Sequence, residues 1–500
     1  MSISLLLEMA TSANADRAAV SWDDNSLTMG GLSDLADGGC GVITRSEALH
    51  VVYIGTGGAM LPILLYSAAR AAVPFTPLNY RLSPATLKEL IARLPDPLVV
   101  VDSEYLPILS DLPSRVIPAN VFLRGAFTAN PDPQVADSDD VAVVLFTSGT
   151  TSSPKAVELT HGNLLSYITG TVEFDSAGPD EAALICVPPY HVAGIGAALS
   201  NIYAGRRMIY QRQFDAQGWI RLVRERNVTT ATVVPTMLDR IVTTLATSDA
   251  GLPSLRTLAY GGSKVPLPLV KKAMEVLPGV GFVNAYGLTE TSSTIAVLTP
   301  DDHREAFTAS DPNVARRLGS VGSAVPGIEL EIRDDEGARL GANEVGELWV
   351  RGEQVSGRYT GLGSALDGDG WFPTRDRASL DTDGFLFIEG RTDDTIIRGG
   401  ENIAPAEIED VLVEHSDVSQ CVVVGIADPS WGHIAVAVVV PEPESEPDSE
   451  QLREYVRQQL RGSRTPDRVV FRKELPVNAM GKILRREIIA DLECSIGQDA

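Results

Sequence analysis

The sequence predicts an α/β fold in at least two domains, and three observations predict it. Short β-branched runs alternate with helical patterns through the first 390 residues, and the last hundred or so carry an alternation of their own. The chain's 500 residues also exceed what one core normally organises.

Taken in order, HVVYIG, AVPFTPL, LVVVDS, VAVVLF, ALICVPP, RRMIYQ, TTATVVP and LRTLAYGG read as buried strands. YIGTGGAM, 53 to 60, lacks the GxGxxG spacing of a dinucleotide loop and receives no such assignment. LTHGNLLSYI reads as the start of a helix with a cap at Thr160 or Asn163, so the preceding polar loop is expected to join a strand to a helix. From 184 to 205 no side chain carries a formal charge, but Pro188, Pro189, Tyr190, His191, Asn201 and three glycines interrupt the run. A strand, loop and helix lining a pocket is expected there, not a membrane span. From about 318, LGSVGSAVPGIELEIRD and GELWVRG read as short strands of a more antiparallel module. After GFLFIEGR come a helix near AEIEDVLVEH, strands near QCVVVGIAD and HIAVAVVV, and a helix near LREYVRQQLR: a small α+β domain. PEPESEPDSE, 441 to 450, reads as a solvated acidic loop capping the next helix.

Composition narrows the function classes. A formal charge of −25, from 66 acidic against 41 basic residues, disfavours non-specific binding to nucleic acid or an anionic membrane. Cys40, Cys186, Cys421 and Cys494 lack metal spacing and read as reduced thiols of a cytoplasmic protein. The apolar run near the N-terminus has no basic leader, so a secretory signal is not expected.

The stretch LFTSGTTSSPKAVELTHGNL, 145 to 164, packs hydroxyl residues close to one lysine. Thr147, Ser148, Gly149, Thr150, Thr151, Ser152 and Ser153 suit a tight loop that turns backbone N–H groups and hydroxyls onto a phosphate, with Lys155 offsetting its charge. A polar surface turn suits the same residues. A Walker A loop is excluded, because Pro154 precedes Lys155 and Ala156 follows it where that motif needs Ser or Thr.

That loop has companions in order: NAYGLTE at 284 to 290, GWFPTRD at 370 to 376, GRTDDTIIRGGENIAPAEIE at 390 to 409 and LPVNAMGK at 475 to 482. Together with TSGTTSSPK they make the chain resemble the adenylate-forming superfamily of acyl-CoA synthetases, luciferases and peptide-synthetase adenylation domains, most of all an acyl-CoA synthetase. The resemblance covers nearly the whole chain. It implies a large multi-subdomain ATP- and carboxylate-binding domain over 1–390, a hinge at 391–394, and a small mobile α+β domain over 395–500 that carries the catalytic lysine and a CoA-facing loop. It also implies the chemistry. A carboxylate is a poor electrophile, so ATP converts it to an acyl-adenylate with loss of pyrophosphate, and a thiol then displaces AMP. Bringing two anions together calls for positive charge and oriented donors near the α-phosphate.

By the same resemblance, Thr147, Ser148, Gly149, Thr150, Thr151 and Lys155 bind the ATP phosphates, Thr289 contacts phosphate, and Glu290 holds Mg2+. Tyr286 stacks on adenine, Asp376 takes the ribose hydroxyl pair and Arg391 approaches the ribose. Lys482 is the catalytic cation, a compact charge able to approach carboxylate and phosphate oxygens. Asp393 is the hinge residue, and Gly399, Gly400 and Glu401, with Asn402, face CoA. Two positions depart from the family pattern: Ser152 and Arg375 stand where glycine is usual. PPYHVAGIGAA, 188 to 198, resembles the gate beside the acyl pocket, with His191 as gate and Ala193 and Ala197 on one helical face. Val234, Tyr260, Gly261, Gly262 and Gly287 are further candidate walls, while Lys264 is expected to face either solvent or substrate.

A single carboxylate on a medium-to-long or bulky apolar body is the expected substrate, with CoA as co-substrate and no nucleic-acid partner. The other readings are an adenylation enzyme loading a carrier protein in trans, a luciferase-like oxidase, and a weakly catalytic acyl-nucleotide sensor.

Overall fold

The computed structural model describes residues 1–22, 25–109, 112, 115–147, 154–247, 251–398, 401–428, 431–460, 464–478 and 481–496. Among these, two large sheets lie one on each side of a shared layer of helices. The first, eight-stranded, runs in the order Gly363–Ser364, Arg358–Tyr359, Lys155–Thr160, Val141–Thr147, Phe75–Leu78, His50–Ile54, Pro97–Val101, Arg115–Pro118. Its strands from Val141–Thr147 to Arg115–Pro118 are parallel, and antiparallel hairpins extend the opposite edge. The second, nine-stranded, is parallel from Gly281–Leu288 through Thr257–Gly261, Thr230–Val233, Ala182–Ile185 and Arg207–Tyr210 to Ala18–Trp22, with antiparallel strands at both edges.

The strand periodicity explains why both faces are buried. In His50–Ile54, Val51 and Tyr53 enter the core between the two sheets, while Val52 and Ile54 pack under the outer helix Pro84–Ala92. The inner core is filled by helices Ser4–Ala13, Met29–Ser46, Met60–Arg70 and Val192–Tyr203. The outer face of the nine-stranded sheet is covered by Ala216–Glu225, Pro235–Ala246 and Leu267–Val276.

Beyond them, Glu329–Arg333, Gly346–Arg351, Phe372–Leu380 and Leu386–Arg391 form the antiparallel module expected after 318. The 3₁₀ turn Thr392–Asp394 then leads into a sheet of Glu401–Ile403, Ile396–Arg398, Gly432–Pro441 and Val418–Asp428, with Arg468–Phe471 added in parallel. This sheet is covered on both faces. Val423 packs under Pro405–Leu412, and Val422 and Val424 under Arg485–Ile496. Asp448 caps Ser449–Gln459 by accepting from Glu450 N and Gln451 N, as the acidic loop predicts.

One local expectation is corrected. The polar loop at 147–155 does not lead straight into a helix: Lys155–Thr160 is a strand, paired antiparallel with Val141–Thr147. The helix starts one residue later, at His161. Thr160 and Asn163 cap it reciprocally, the Thr160 hydroxyl accepting from Asn163 N and the Asn163 side chain accepting from Thr160 N.

Among the described residues no helix is long and apolar enough to cross a membrane. The strand Ala182–Ile185 and helix Val192–Tyr203 account for the uncharged stretch.

Candidate active site

Three candidate residues from different strands meet on one carboxylate. Strand pairing sets Asp376 opposite Arg391, and Tyr286 reaches over from Gly281–Leu288, the last parallel strand of the nine-stranded sheet. The Tyr286 hydroxyl donates to Asp376 Oδ2 at 2.5 Å, and Arg391 Nε lies 3.2 Å from Oδ1. Asp376 is 5% exposed, and burial pushes its carboxyl pKa up while Arg391 and the Tyr286 bond oppose that shift. Burial, reinforced by Asp376, also holds the Tyr286 phenol protonated, so it remains a donor.

The residue before this aspartate departs from the family's glycine. Arg375 has φ +64°, a left-handed conformation that glycine adopts freely and a side-chain-bearing residue adopts at a cost of about 1–2 kcal/mol. Its exposed guanidinium lies 3.9 Å from Glu347 Oε1.

Lys482 arrives from the small domain on a tight hairpin. Val477 and Ile483 bridge its base, Lys482 N donates to Asn478 Oδ1 at 3.0 Å, and Asn478 N donates to Lys482 O at 2.9 Å. Gly481, with φ +70°, seats the hairpin against Thr236 of the large domain. Lys482 is exposed, although protein surrounds its ammonium. Its ammonium pKa is lowered first by loss of solvation and then by Arg391, against the pull of Asp394 and Asp376. The arrangement therefore sets a cation within electrostatic reach of the Asp376–Arg391 pair. Asp394 is also 3.6 Å from Arg485 Nε.

A second cluster joins the two large sheets. Thr147 and Lys155 are paired across their hairpin. Ser148, Gly149, Thr150, Thr151 and Ser152 lie outside the described residues. Lys155 Nζ sits 5.3 Å from the centroid of the Tyr359 ring, and the Tyr359 hydroxyl donates to Glu290 Oε1 at 2.9 Å. Glu290 and Thr289 belong to the 3₁₀ turn Thr289–Thr291 that follows Gly281–Leu288. Sequence reasoning missed Tyr359, as well as Thr236 and Asp394. Tyr359 is a lone aromatic in VSGRYTG, whose partners lie 69 and 204 positions earlier, and no local signal marks it.

Glu290 suits magnesium as a single hard oxygen donor. Among the described residues no group of three or more His, Cys, Asp or Glu could hold a metal, so the remaining coordination would come from phosphates and water.

Around the expected acyl pocket the candidates divide. Ala193 and Ala197 lie on helix Val192–Tyr203 and stay partly open, whereas Ile195, Ala198 and Leu199 are in the core. His191 stands at that helix's N-cap, 4.7 Å from the Tyr190 ring, and burial pushes its pKa down to about 4, so it is neutral at neutral pH. Val234 is 2% exposed and Tyr260 1%, both inside the core beneath the nine-stranded sheet, and the Tyr260 hydroxyl is 2.8 Å from His303 Nε2. A Cβ at Gly261 would meet Ala285 O at 2.2 Å, and one at Gly287 would meet Ser293 O at 1.7 Å. Close strand packing therefore requires both glycines whether or not a ligand lies near. Gly262 is exposed, with φ +85°. Lys264 pairs across the domains with Asp410 at 2.7 Å. Asp393 is exposed in the Thr392–Asp394 turn, and Glu401 lies 4.0 Å from Arg464. Gly399 and Gly400 lie outside the described residues.

Comparison with known proteins decides the family. The AMP-binding enzyme model matches residues 7–360, and the AMP-binding enzyme C-terminal domain model matches 407–482. The chain belongs to the AMP-binding enzyme family. It is an AMP-forming acid–thiol ligase of the acyl-CoA synthetase type. Among AMP-binding enzymes it is 33% identical to a feruloyl-CoA synthase from Amycolatopsis sp, over 88% of each chain. It is 31% identical to the fatty acid–[acyl-carrier-protein] ligase ScoC of Streptomyces coeruleorubidus, over 88% of this chain and 86% of that one. The o-succinylbenzoate CoA synthetase of Bacillus subtilis, solved with ATP and a magnesium ion, superposes with a TM-score of 0.82 at 26% identity, covering 96% of this chain and 98% of that one.

Proposed function

We propose that the protein joins the single carboxylate of an aromatic or otherwise bulky apolar acid to CoA in two steps. A substrate carboxylate oxygen attacks the α-phosphorus of ATP, and the bond to pyrophosphate breaks. The CoA thiolate then attacks the acyl carbonyl carbon, and the bond to AMP breaks. The observation that carries this reading is the arrival of Lys482, from a separate domain, within electrostatic reach of the Asp376–Arg391 pair.

In this reading Tyr286 stacks on adenine, while Asp376 and Arg391 orient the ribose. Thr147, Ser148, Gly149, Thr150, Thr151 and Lys155 hold the phosphates with Thr289. Glu290 holds magnesium, which when bound offsets phosphate charge. Lys482 faces the negative oxygens that approach each other, a charge whose effect grows as water is excluded. Asp393 is the hinge about which the small domain turns to bring Gly399, Gly400 and Glu401 toward CoA.

Ala193 and Ala197 support an apolar pocket wall with space for a bulky body, and His191, neutral through burial, supports a gate that adds no charge to it. The feruloyl and succinylbenzoyl relatives lend weight to an aromatic acid.

The test separates the half-reactions. Lys482→Ala is expected to lose acid-dependent pyrophosphate exchange yet still convert supplied acyl-adenylate and CoA to thioester. Asp393→Pro is expected to impair the second reaction preferentially. Equal losses in both assays from both variants would reject the assignment. Because ScoC loads a carrier protein, the second assay is run with CoA and with a phosphopantetheinyl carrier, and turnover with the carrier alone would replace the acceptor.

A further inference from the structure

Residues 353–360 form a strap that binds the two large sheets together beside the phosphate site. At its start Glu353 O accepts from Asn163 Nδ2 at 2.8 Å, and Gln354 Nε2 donates to Thr291 O at 3.0 Å and to Thr294 O at 2.8 Å. In its middle Ser356 N and Gly357 N donate to Glu290 O at 2.9 and 3.3 Å, and the Ser356 hydroxyl donates to Glu158 O. At its end Tyr359 pairs with Val157, and Thr360 N donates to Ala156 O at 2.9 Å. The backbone of the Glu290 turn is thus tied to the strand that begins with Lys155.

Tyr359 makes the same connection with its side chain. Its hydroxyl donates to Glu290 Oε1 at 2.9 Å, and its ring lies 5.3 Å from Lys155 Nζ. A charge-assisted hydrogen bond fixes a carboxylate more firmly than a neutral one. An aromatic face attracts an ammonium without competing for the hydrogen bonds that the ammonium will offer a ligand. Of the two Glu290 oxygens, Oε2 accepts no hydrogen bond among the described residues, which leaves it to face a cation.

We propose that Tyr359 is a positioning residue of the nucleotide site, setting the Glu290 carboxylate through its hydroxyl and the Lys155 ammonium over its ring, so that the two charges keep one separation around the triphosphate of ATP. The inference rests on the proposed roles of Lys155 and Glu290. It predicts that the hydroxyl and the ring act on different quantities. The hydroxyl governs how strongly magnesium improves ATP binding, and the ring governs ATP binding with magnesium absent.

The experiment is calorimetric titration of ATP into the full chain, with and without Mg2+, for wild type, Tyr359→Phe, Tyr359→Leu, Glu290→Gln and the Tyr359→Phe/Glu290→Gln double variant, each checked for wild-type unfolding behaviour. Tyr359→Phe is expected to keep magnesium-free affinity within about twofold and to lose about tenfold of the enhancement by magnesium, the size of one charge-assisted hydrogen bond. Tyr359→Leu should in addition lose roughly two- to fivefold of the magnesium-free affinity. In the Glu290→Gln background the hydroxyl should contribute nothing further. The proposal is overturned if Tyr359→Phe leaves the magnesium enhancement intact, if Phe and Leu behave alike, or if the Tyr359→Phe effect persists undiminished beside Glu290→Gln. Failure of the underlying nucleotide assignment looks different: wild type itself would not bind ATP.

Discussion

Replacing Gly481 by alanine tests whether Lys482 works by docking. A Cβ built there would stand 2.3 Å from Thr236 Oγ1, 2.8 Å from its Cγ2 and 3.1 Å from its Cβ. Thr236 is held at the start of helix Pro235–Ala246, and its Cβ cannot withdraw without moving that helix. The hairpin must therefore back away. Two costs arise. The left-handed φ of +70° penalises alanine by about 1–2 kcal/mol, but it does so whether or not the domains are docked. The contact with Thr236 exists only in the docked arrangement, where overpacking costs about 1–3 kcal/mol. Only this second cost shifts the domain equilibrium, by roughly 5- to 150-fold. Pyrophosphate exchange should fall by a factor in that range, while thioester formation from supplied acyl-adenylate should stay near wild type. Thr236→Gly in the same chain removes the obstructing atoms and should restore much of the exchange rate. Equal loss in both half-reactions, or no restoration by Thr236→Gly, would refute the docking argument.

Four further outcomes are expected. Because Lys482 acts as a cation and its folded pKa lies below the ordinary 10.5, adenylation should decline with rising pH before that value, and Lys482→Arg should flatten the alkaline limb; an unshifted limb in wild type would contradict it. Between the lowered pKa and 10.5 the unfolded chain binds more protons, so Lys482 should make stability rise with pH while adenylation falls. Arg375→Gly should relieve about 1–2 kcal/mol of left-handed strain, partly offset by about 0.4–1 kcal/mol of extra freedom in the unfolded chain, raising the denaturant midpoint slightly with adenylation retained; a large loss of ATP affinity would instead give the guanidinium a ligand. Ala197→Phe should lower kcat/KM for a bulky acid more than for acetate, and an unchanged ratio would remove Ala197 from the pocket wall.

Much of the scaffold was legible because its strands are buried on both faces, which forces runs such as HVVYI and PLVVV that few other structures need. The strand Lys155–Thr160 was not legible. Its six residues end in a capping signal, and the strong Thr160–Asn163 start of the following helix made the whole segment look like a helix approach. The site was legible in its motifs and opaque in its wiring. Tyr286 and Asp376 stand 90 positions apart, and their hydrogen bond follows from the packing of the strand Gly281–Leu288 against a separate antiparallel module, which periodicity does not encode. Val234 and Tyr260 show the same limit in reverse. Their motifs sit beside expected pocket segments, yet their side chains turn into the core.

The wiring also bears on how two reactions share one cleft. Asp376 and Glu290 are held by bonds within the large domain, from Tyr286, Tyr359 and the strap, and the proposed turn of the small domain need not change those bonds. Lys482 is held differently. It depends on the contact of Gly481 with Thr236, and nearby the domains are joined by the Lys264–Asp410 pair. That pair is 42% and 56% exposed, so it contributes on the order of 0–1 kcal/mol. In the proposed two-step reaction this asymmetry is useful. The groups that must keep the nucleotide through both steps are fixed within the large domain, and the cation needed only for the first is brought in by a separate domain through the Gly481–Thr236 contact, near an exposed ion pair.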